Sequence, residues 1–157
     1  MPKITALLHT HNDALRLGRA LDSLRPCDEV LVVDDQSEDD TEKIAREHGA
    51  VFKTAIPGVT AGAYAVDATN DWILCLRPNE SLSDDLEAAL FEWKEQEPPE
   101  TVACYSVPVR GDSNNGEAKP IEVRLINRKK INWVGEMPPD GLTCSTLSGD
   151  VLCFKQP

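Results

Sequence analysis

Two adjacent acids, Asp34 and Asp35, stand where the apolar run Val30-Leu31-Val32-Val33 breaks off. Such a run reads as a buried parallel strand. A strand ending in carboxylates puts acid at the carboxyl rim of a sheet, the edge where open α/β folds bind ligands. Ser37 and a polar turn follow, and then a segment of helical period. The same acids could instead cap that helix, since carboxylates are common at strand-to-helix turns. His9 and His11, two residues apart, invite a zinc reading, but such sites need three or four ligands and no third is in view.

The elements that must position these acids can be read from period and punctuation. Residues 3–9 form a first strand, with Thr10 or Asn12 capping a helix whose Leu17, Leu21 and Leu24 share a stripe with Ala14 and Ala20. Residues 29–33 form the second strand. Asp39 or Asp40 caps a helix at about 40–48 with Ile44, Ala45 and His48 inward, and Gly49 stops it. A short third strand spans 50–53, a small-residue helix 59–69 and a fourth strand 72–76. Ser81 or Ser83 opens a helix with Leu86, Ala89, Leu90 and Trp93 on one face. After the linker EQEPPE, residues 102–109 and 121–127 read as an antiparallel pair around the turn-rich GDSNNGEAKP, and 150–154 as a closing strand. Strand–helix alternation over the first 95 residues predicts βαβ units, hence a mostly parallel sheet with helices on both faces.

At 157 residues the chain is expected to form one domain with a single core. A net charge of −11 disfavours a nucleic-acid backbone or an anionic membrane surface as partner. No segment approaches the roughly 20 apolar residues of a membrane helix, and the amino terminus lacks a signal-peptide pattern, so the expected address is cytoplasmic. Cys27, Cys75, Cys104, Cys144 and Cys153 include no CxxC pair and read as structural thiols, Cys75 and Cys104 inside strands. Trp72 and Trp93 read as core, and Trp133 as core or as a platform for a sugar ring.

Three doubly wound folds place acids at strand ends. A dinucleotide-binding domain needs G-x-G-x-x-G after the first strand, where this chain has THNDALRLG. A response-regulator receiver carries its acid pair after the first strand, not the second. The third option fits: Thr10-His11-Asn12-Asp13 and the series Asp34, Asp35, Ser37, Asp39, Thr41 resemble the Thr-x-Asn-(Glu/Asp) and Asp-Asp-x-Ser-x-Asp-x-Thr elements of family-2 glycosyltransferases. Within that family the chain looks most like the lipopolysaccharide-core glucosyltransferase group. The resemblance covers roughly residues 3–90 and extends weakly to Val123-Arg124-Leu125.

The resemblance implies a three-layer GT-A fold of the nucleotide-diphospho-sugar transferase type, with a nucleotide-binding half at 1–95 and a β-rich part at 101–157. It implies transfer of a hexosyl group from a nucleotide sugar, UDP-type by preference, to a sugar or lipid-linked acceptor. Thr10, Asn12 and Asp13, with Asp34 and Asp35 as acceptors of base N–H or ribose hydroxyl bonds, would hold the nucleoside. Typical members then present Asp-x-Asp-Glu, which holds Mg²⁺ or Mn²⁺ against the diphosphate. Here Arg77, Pro78, Asn79 and Glu80 stand at those positions and only the glutamate is kept, with Arg77, Asn79 and Glu80 expected to contact the nucleotide. The usual histidines after Trp133-Val134-Gly135 and in the closing strand are also absent. One consequence is a metal-free transferase in which Arg77, with Arg124, Arg128, Lys129 and Lys130 near by, neutralises the leaving diphosphate. Glu136 or Asp140 would then serve as general base. The other is a domain without catalysis that binds a nucleotide, a glycan, a protein partner or another copy of itself.

Overall fold

The computed structural model describes residues 1–111 and 120–157. Four strands run parallel: β1 (Ile4–Thr10), β2 (Glu29–Asp34), β3 (Val51–Thr54) and β4 (Trp72–Cys75), in the order β3-β2-β1-β4. From β1 the chain steps outward through β2 to β3, then returns to pair β4 on the other side of β1. That reversal opens a crevice at the carboxyl ends of β1 and β4, the place where doubly wound sheets seat ligands.

The sheet continues through β7 (Ile121–Asn127), antiparallel to β4, and β6 (Cys104–Gly111), antiparallel to β7. Both halves of the chain therefore share one hydrogen-bonded surface. β9 (Val151–Cys153) runs parallel to β6 and pairs antiparallel with β5 (Glu80–Leu82), while β8 (Ser145–Thr146) adds to β6. The expected antiparallel pair and closing strand are present. β5 and β8 went unread because two or three residues carry no period. Residues 112–119, within the expected loop GDSNNGEAKP, lie outside the described residues.

Alternation along β1 divides the core. Ile4, Ala6 and Leu8 point into one apolar layer with Leu17, Ala20 and Leu21 of α1 (Ala14–Asp22), Ala45 of α2 (Thr41–Glu47) and Leu86 and Leu90 of α3 (Asp84–Trp93). Ser83 caps α3, its Oγ accepting from Leu86 N at 3.1 Å. Trp72, Trp93 and Tyr105 meet in this layer with ring centroids 5.0 to 5.8 Å apart. Leu7, Leu31, Val33 and Ile73 face the opposite layer, covered by residues 61–68 and by the segment carrying Trp133. All three α-helices thus pack on one face. The other is covered by Ala61–Asp67, a 3₁₀ segment and not the α-helix expected there.

The cause of that difference is tertiary. Trp133 is buried directly over Gly62, where an added Cβ would lie 2.4 Å from Trp133 Cδ1 and 2.6 Å from Gly135 O. At the far end of the segment, Arg128 Nη1 donates to the carbonyls of Ala65, Val66 and Ala68. Long-range contacts at both ends override the helical propensity of an alanine-rich run.

The cysteine reading also needs correcting. Cys104 and Cys144 form a disulfide, which ties the end of the long segment after β7 to β6. Closing a loop of 40 residues stabilises a fold by about 4 kcal/mol in the chain-entropy account. Cys27 and Cys75 remain thiols, and burial pushes both up to about 12. No helix among the described residues is long and apolar enough to cross a membrane.

Candidate functional site

A cleft of about 440 Å³ opens at the topological reversal, lined by His9, Thr10, His11, Asp13 and Arg16 from the end of β1 and start of α1, Asp35 after β2, Arg77 to Asn79 after β4, and Glu136. Four independent stretches converge there because the parallel strands end on one rim and the segment after β7 returns to it.

Most of the acid-rich motif builds the rim and does not line the cleft. Asp34, 4% exposed, accepts at Oδ1 from Thr10 Oγ1 (2.7 Å) and Ser37 Oγ (2.6 Å), and at Oδ2 from Ser37 N (2.9 Å). Ser37 Oγ in turn accepts from Asn12 N at 2.7 Å, and Asn12 Oδ1 accepts from Glu38 N at 2.8 Å. Thr41 Oγ1 accepts from Asp13 N at 3.0 Å, and Asp39 Oδ2 accepts from Ala14 N at 3.1 Å. These bonds sew the loop after β1 to the loop after β2. Asp39 therefore serves the start of α1 as well as that of α2, where it also accepts from Thr41 N. Asn12 and Gln36 take the left-handed backbone at φ 51 and 50, a conformation costly for most side chains, which the surrounding bonds hold in place.

Two carboxylates of the motif face the cleft. Asp35 is exposed, and its carbonyl meets His11 Nδ1 at 2.5 Å. A carbonyl only accepts, so Nδ1 carries the hydrogen. That bond, joined by the charges of Asp35, Asp34 and Asp13, raises the His11 pKa above the ordinary imidazole value. Asp13 accepts from His11 N at 2.8 Å and pairs with Arg16 Nε at 2.8 Å. Arg16 was not anticipated. Its position three residues after Asp13, on the same helix face, was the available signal. His9 and His11 also line the cleft, with no third ligand beside them for zinc among the described residues.

The end of β4 is built differently. Glu80 is 1% exposed and Arg124 fully buried, and they meet as a fork: Nη1 to Oε1 at 2.7 Å and Nη2 to Oε2 at 2.8 Å. Arg77 N donates to Glu80 Oε1 at 2.8 Å, and Arg124 also reaches Glu122 Oε1 and Cys75 O. Burial pushes the Glu80 carboxyl up, but hydrogen bonding and charge from Arg124 outweigh it and hold the group below its usual range. The Arg77 side chain is looser, with Nη1 3.4 Å from Glu80 Oε2 and 3.5 Å from Glu122 Oε1.

These residues do not fit a divalent cation. Both oxygens of Glu80 are occupied by guanidinium and amide, Asn79 Nδ2 lies against Cys153 Sγ at 3.5 Å, and a cationic Arg77 stands beside them. Among the described residues no three His, Cys, Asp or Glu side chains gather to hold a metal ion.

The remaining expected residues separate. Glu136 lines the cleft, whereas Asp140 is exposed and does not. Of the expected nucleotide contacts after β4, Asn79 lines the cleft whereas Glu80 does not: it and Arg124 are spent on each other inside the fold. Arg128, Lys129 and Lys130 are not a supply of charge for this cleft: β7 runs antiparallel, Asn127 pairs with Trp72, and the three cations follow at the opposite rim. There Arg128 and Lys129 pair with Asp71, and Lys130 with Glu100. Trp133 is packed away from the cleft, over Gly62.

Residues 5–149 match the family model described as glycosyl transferase family 2. An uncharacterized glycosyltransferase of Rickettsia typhi is 31% identical across 99% of this chain and 54% of its own length. One of Rickettsia felis is 41% identical across 55% of this chain and 32% of its own. The chain thus spans about half the length of the first of these relatives. Among solved structures, Staphylococcus aureus TarS 1–349 in complex with UDP superposes with a TM-score of 0.54 at 20% identity, covering 74% of this chain and 38% of that one. Glucosyl-3-phosphoglycerate synthase from Mycobacterium tuberculosis, in complex with Mn²⁺, UDP and glucosyl-3-phosphoglycerate, gives a TM-score of 0.51 at 19% identity, covering 69% and 44%. At such identities the likeness is one of fold.

Proposed function

For a chain that belongs to glycosyl transferase family 2, we propose that the cleft at the end of β1 binds a nucleotide sugar, UDP-type by preference, and passes its hexosyl group to an acceptor hydroxyl. The observation that carries this reading is the convergence of Asp13, Asp35, Arg16, Arg77 and Glu136 on one opening at the topological reversal. Asp13 and Asp35 supply acceptors for ribose hydroxyls and base N–H groups, and the arginines face the phosphates. Asn12 and Asp34 act one step back, and with Thr10, itself on the cleft wall, they hold the two loops that carry those acids. UDP bound in two superposable structures supports the choice of nucleotide.

In the proposed step the Glu136 carboxylate takes the proton of the acceptor hydroxyl. The freed oxygen forms a bond to the anomeric carbon as the bond from that carbon to the diphosphate oxygen breaks. The nucleoside diphosphate leaves with the electron pair, and the configuration at the anomeric carbon inverts. The acceptor is proposed to be a sugar or a lipid-linked sugar. A cytoplasmic address is also proposed. There thiols are kept reduced, so the Cys104–Cys144 bridge would be open.

Incubation with a panel of nucleotide sugars, following release of the nucleoside diphosphate, tests the reading. Turnover of a uridine donor that falls at least a hundredfold in Glu136→Gln is expected, in line with the loss of a positioned base. Absence of both binding and release across the panel would refute it.

A further inference from the structure

The turn that follows β4 has its own chemistry. Where members of the family present metal-binding carboxylates, this chain offers a buried Glu80–Arg124 fork and, above it, an arginine with its side chain 38% exposed to the cleft. Glu80 and Glu122 are both already in contact with Arg124, which weakens their hold on Arg77. The Arg77 contacts to them, at 3.4 and 3.5 Å, sit at the limit of a hydrogen bond. Among the described residues Nε and Nη2 of Arg77 have no partner, and Arg16 spends only Nε, on Asp13. Both guanidiniums line the same opening. A planar guanidinium meets phosphate oxygens through two parallel N–H bonds and stays charged at all working pH values, so it can stand against a diphosphate without metal.

We infer that Arg77, assisted by Arg16, receives the diphosphate of the donor in place of a divalent cation, and that the Glu80–Arg124 pair closes the position a metal would need. The inference rests on the nucleotide-sugar reading. It adds that donor binding is independent of Mg²⁺ and Mn²⁺. Glu80 cannot turn to a metal without breaking its buried fork with Arg124, which would keep only the partly exposed Glu122 as counter-charge, a large penalty. Arg77 can turn to a phosphate while losing only two marginal contacts. The division of labour follows: Arg124 neutralises the fold's own carboxylate, and Arg77 is left for the ligand.

Calorimetric titration of the chain with UDP, once in EDTA and once with Mn²⁺, tests this. Equal affinity in the two buffers is expected. Arg77→Ala is expected to weaken UDP by roughly ten- to a hundredfold, the loss of one charge-assisted contact. Arg77→Lys, which keeps the charge without the fork, should fall between. An unchanged thermal midpoint for Arg77→Ala would show that the fold is intact. Binding seen only with Mn²⁺, or an Arg77→Ala affinity equal to wild type, would overturn this inference and leave the nucleotide reading standing. No UDP binding in either buffer would overturn both.

Discussion

Two strand ends on the same rim each bury a carboxylate, and they hold it in opposite ways. At the end of β2, Asp34 is held by neutral donors, two hydroxyls and one amide, from the last residue of β1 and the loop after β2. Beyond the turn after β4, at the first residue of β5, Glu80 is held by a buried guanidinium from β7. The first arrangement is local stitching, built from hydrogen bonds individually worth about 1 kcal/mol. The second is an ion pair whose balance of desolvation and attraction makes either partner costly to remove alone. A buried acid beside a cleft can therefore belong to the frame, and the side chains left for a ligand are its neighbours: Asp13 and Asp35 in one case, Arg77 in the other.

Removal of Arg124 should break this contrast most severely. Arg124→Met leaves Glu80 buried without its cation and should cost about 3–5 kcal/mol in chemical denaturation. The same variant should reverse a pH dependence. In the wild type the Glu80 carboxyl is held below its ordinary value, so its contribution is complete above that value and is lost as pH falls through the folded one. Without Arg124, burial, the largest influence on the group, is opposed only by the Arg77 amide and the looser Arg77 charge, so the carboxyl should rise and the variant should gain stability on mild acidification where the wild type does not. Denaturation series across the acid range check the sign.

A smaller effect is expected at the other strand end. Asp34→Asn keeps one acceptor oxygen for its neutral donors and should cost about 1–2 kcal/mol by denaturation. A loss as large as that of Arg124→Met would erase the distinction between the two ends. Smallest should be Ser37→Ala, which removes a hydroxyl linking Asp34 to Asn12 N and should cost about 1 kcal/mol in the same measurement. Its sharper signature should be faster amide exchange at Asn12 and Ser37.

The contrast also explains what the sequence disclosed. The parallel half was legible because β1, β2 and β4 are continuous apolar runs and α1 and α3 carry clear stripes. Asp13, Asp35, Arg77 and Glu136 could be located because each follows a readable strand or motif. The Glu80–Arg124 pair could not be read, since its members lie 44 residues apart and meet only once strand order is known. The same ignorance placed Arg128, Lys129 and Lys130 at the wrong rim, because the direction of β7 decides which end they occupy. The segment 61–67 misled for a related reason: its sequence favours a helix, and Trp133 and Arg128 impose a tighter turn from a distance. The Cys104–Cys144 bridge joins residues that no spacing rule connects.

The most direct test of the proposed cleft is a backbone amide shift map of the isotope-labelled chain titrated with UDP. The shifts are expected to concentrate at His9 to Asp13, Asp35 to Ser37 and Arg77 to Glu80. Shifts gathered instead around Val66, Arg128 and Val134, which line a separate apolar pocket on the 3₁₀ face, would contradict it.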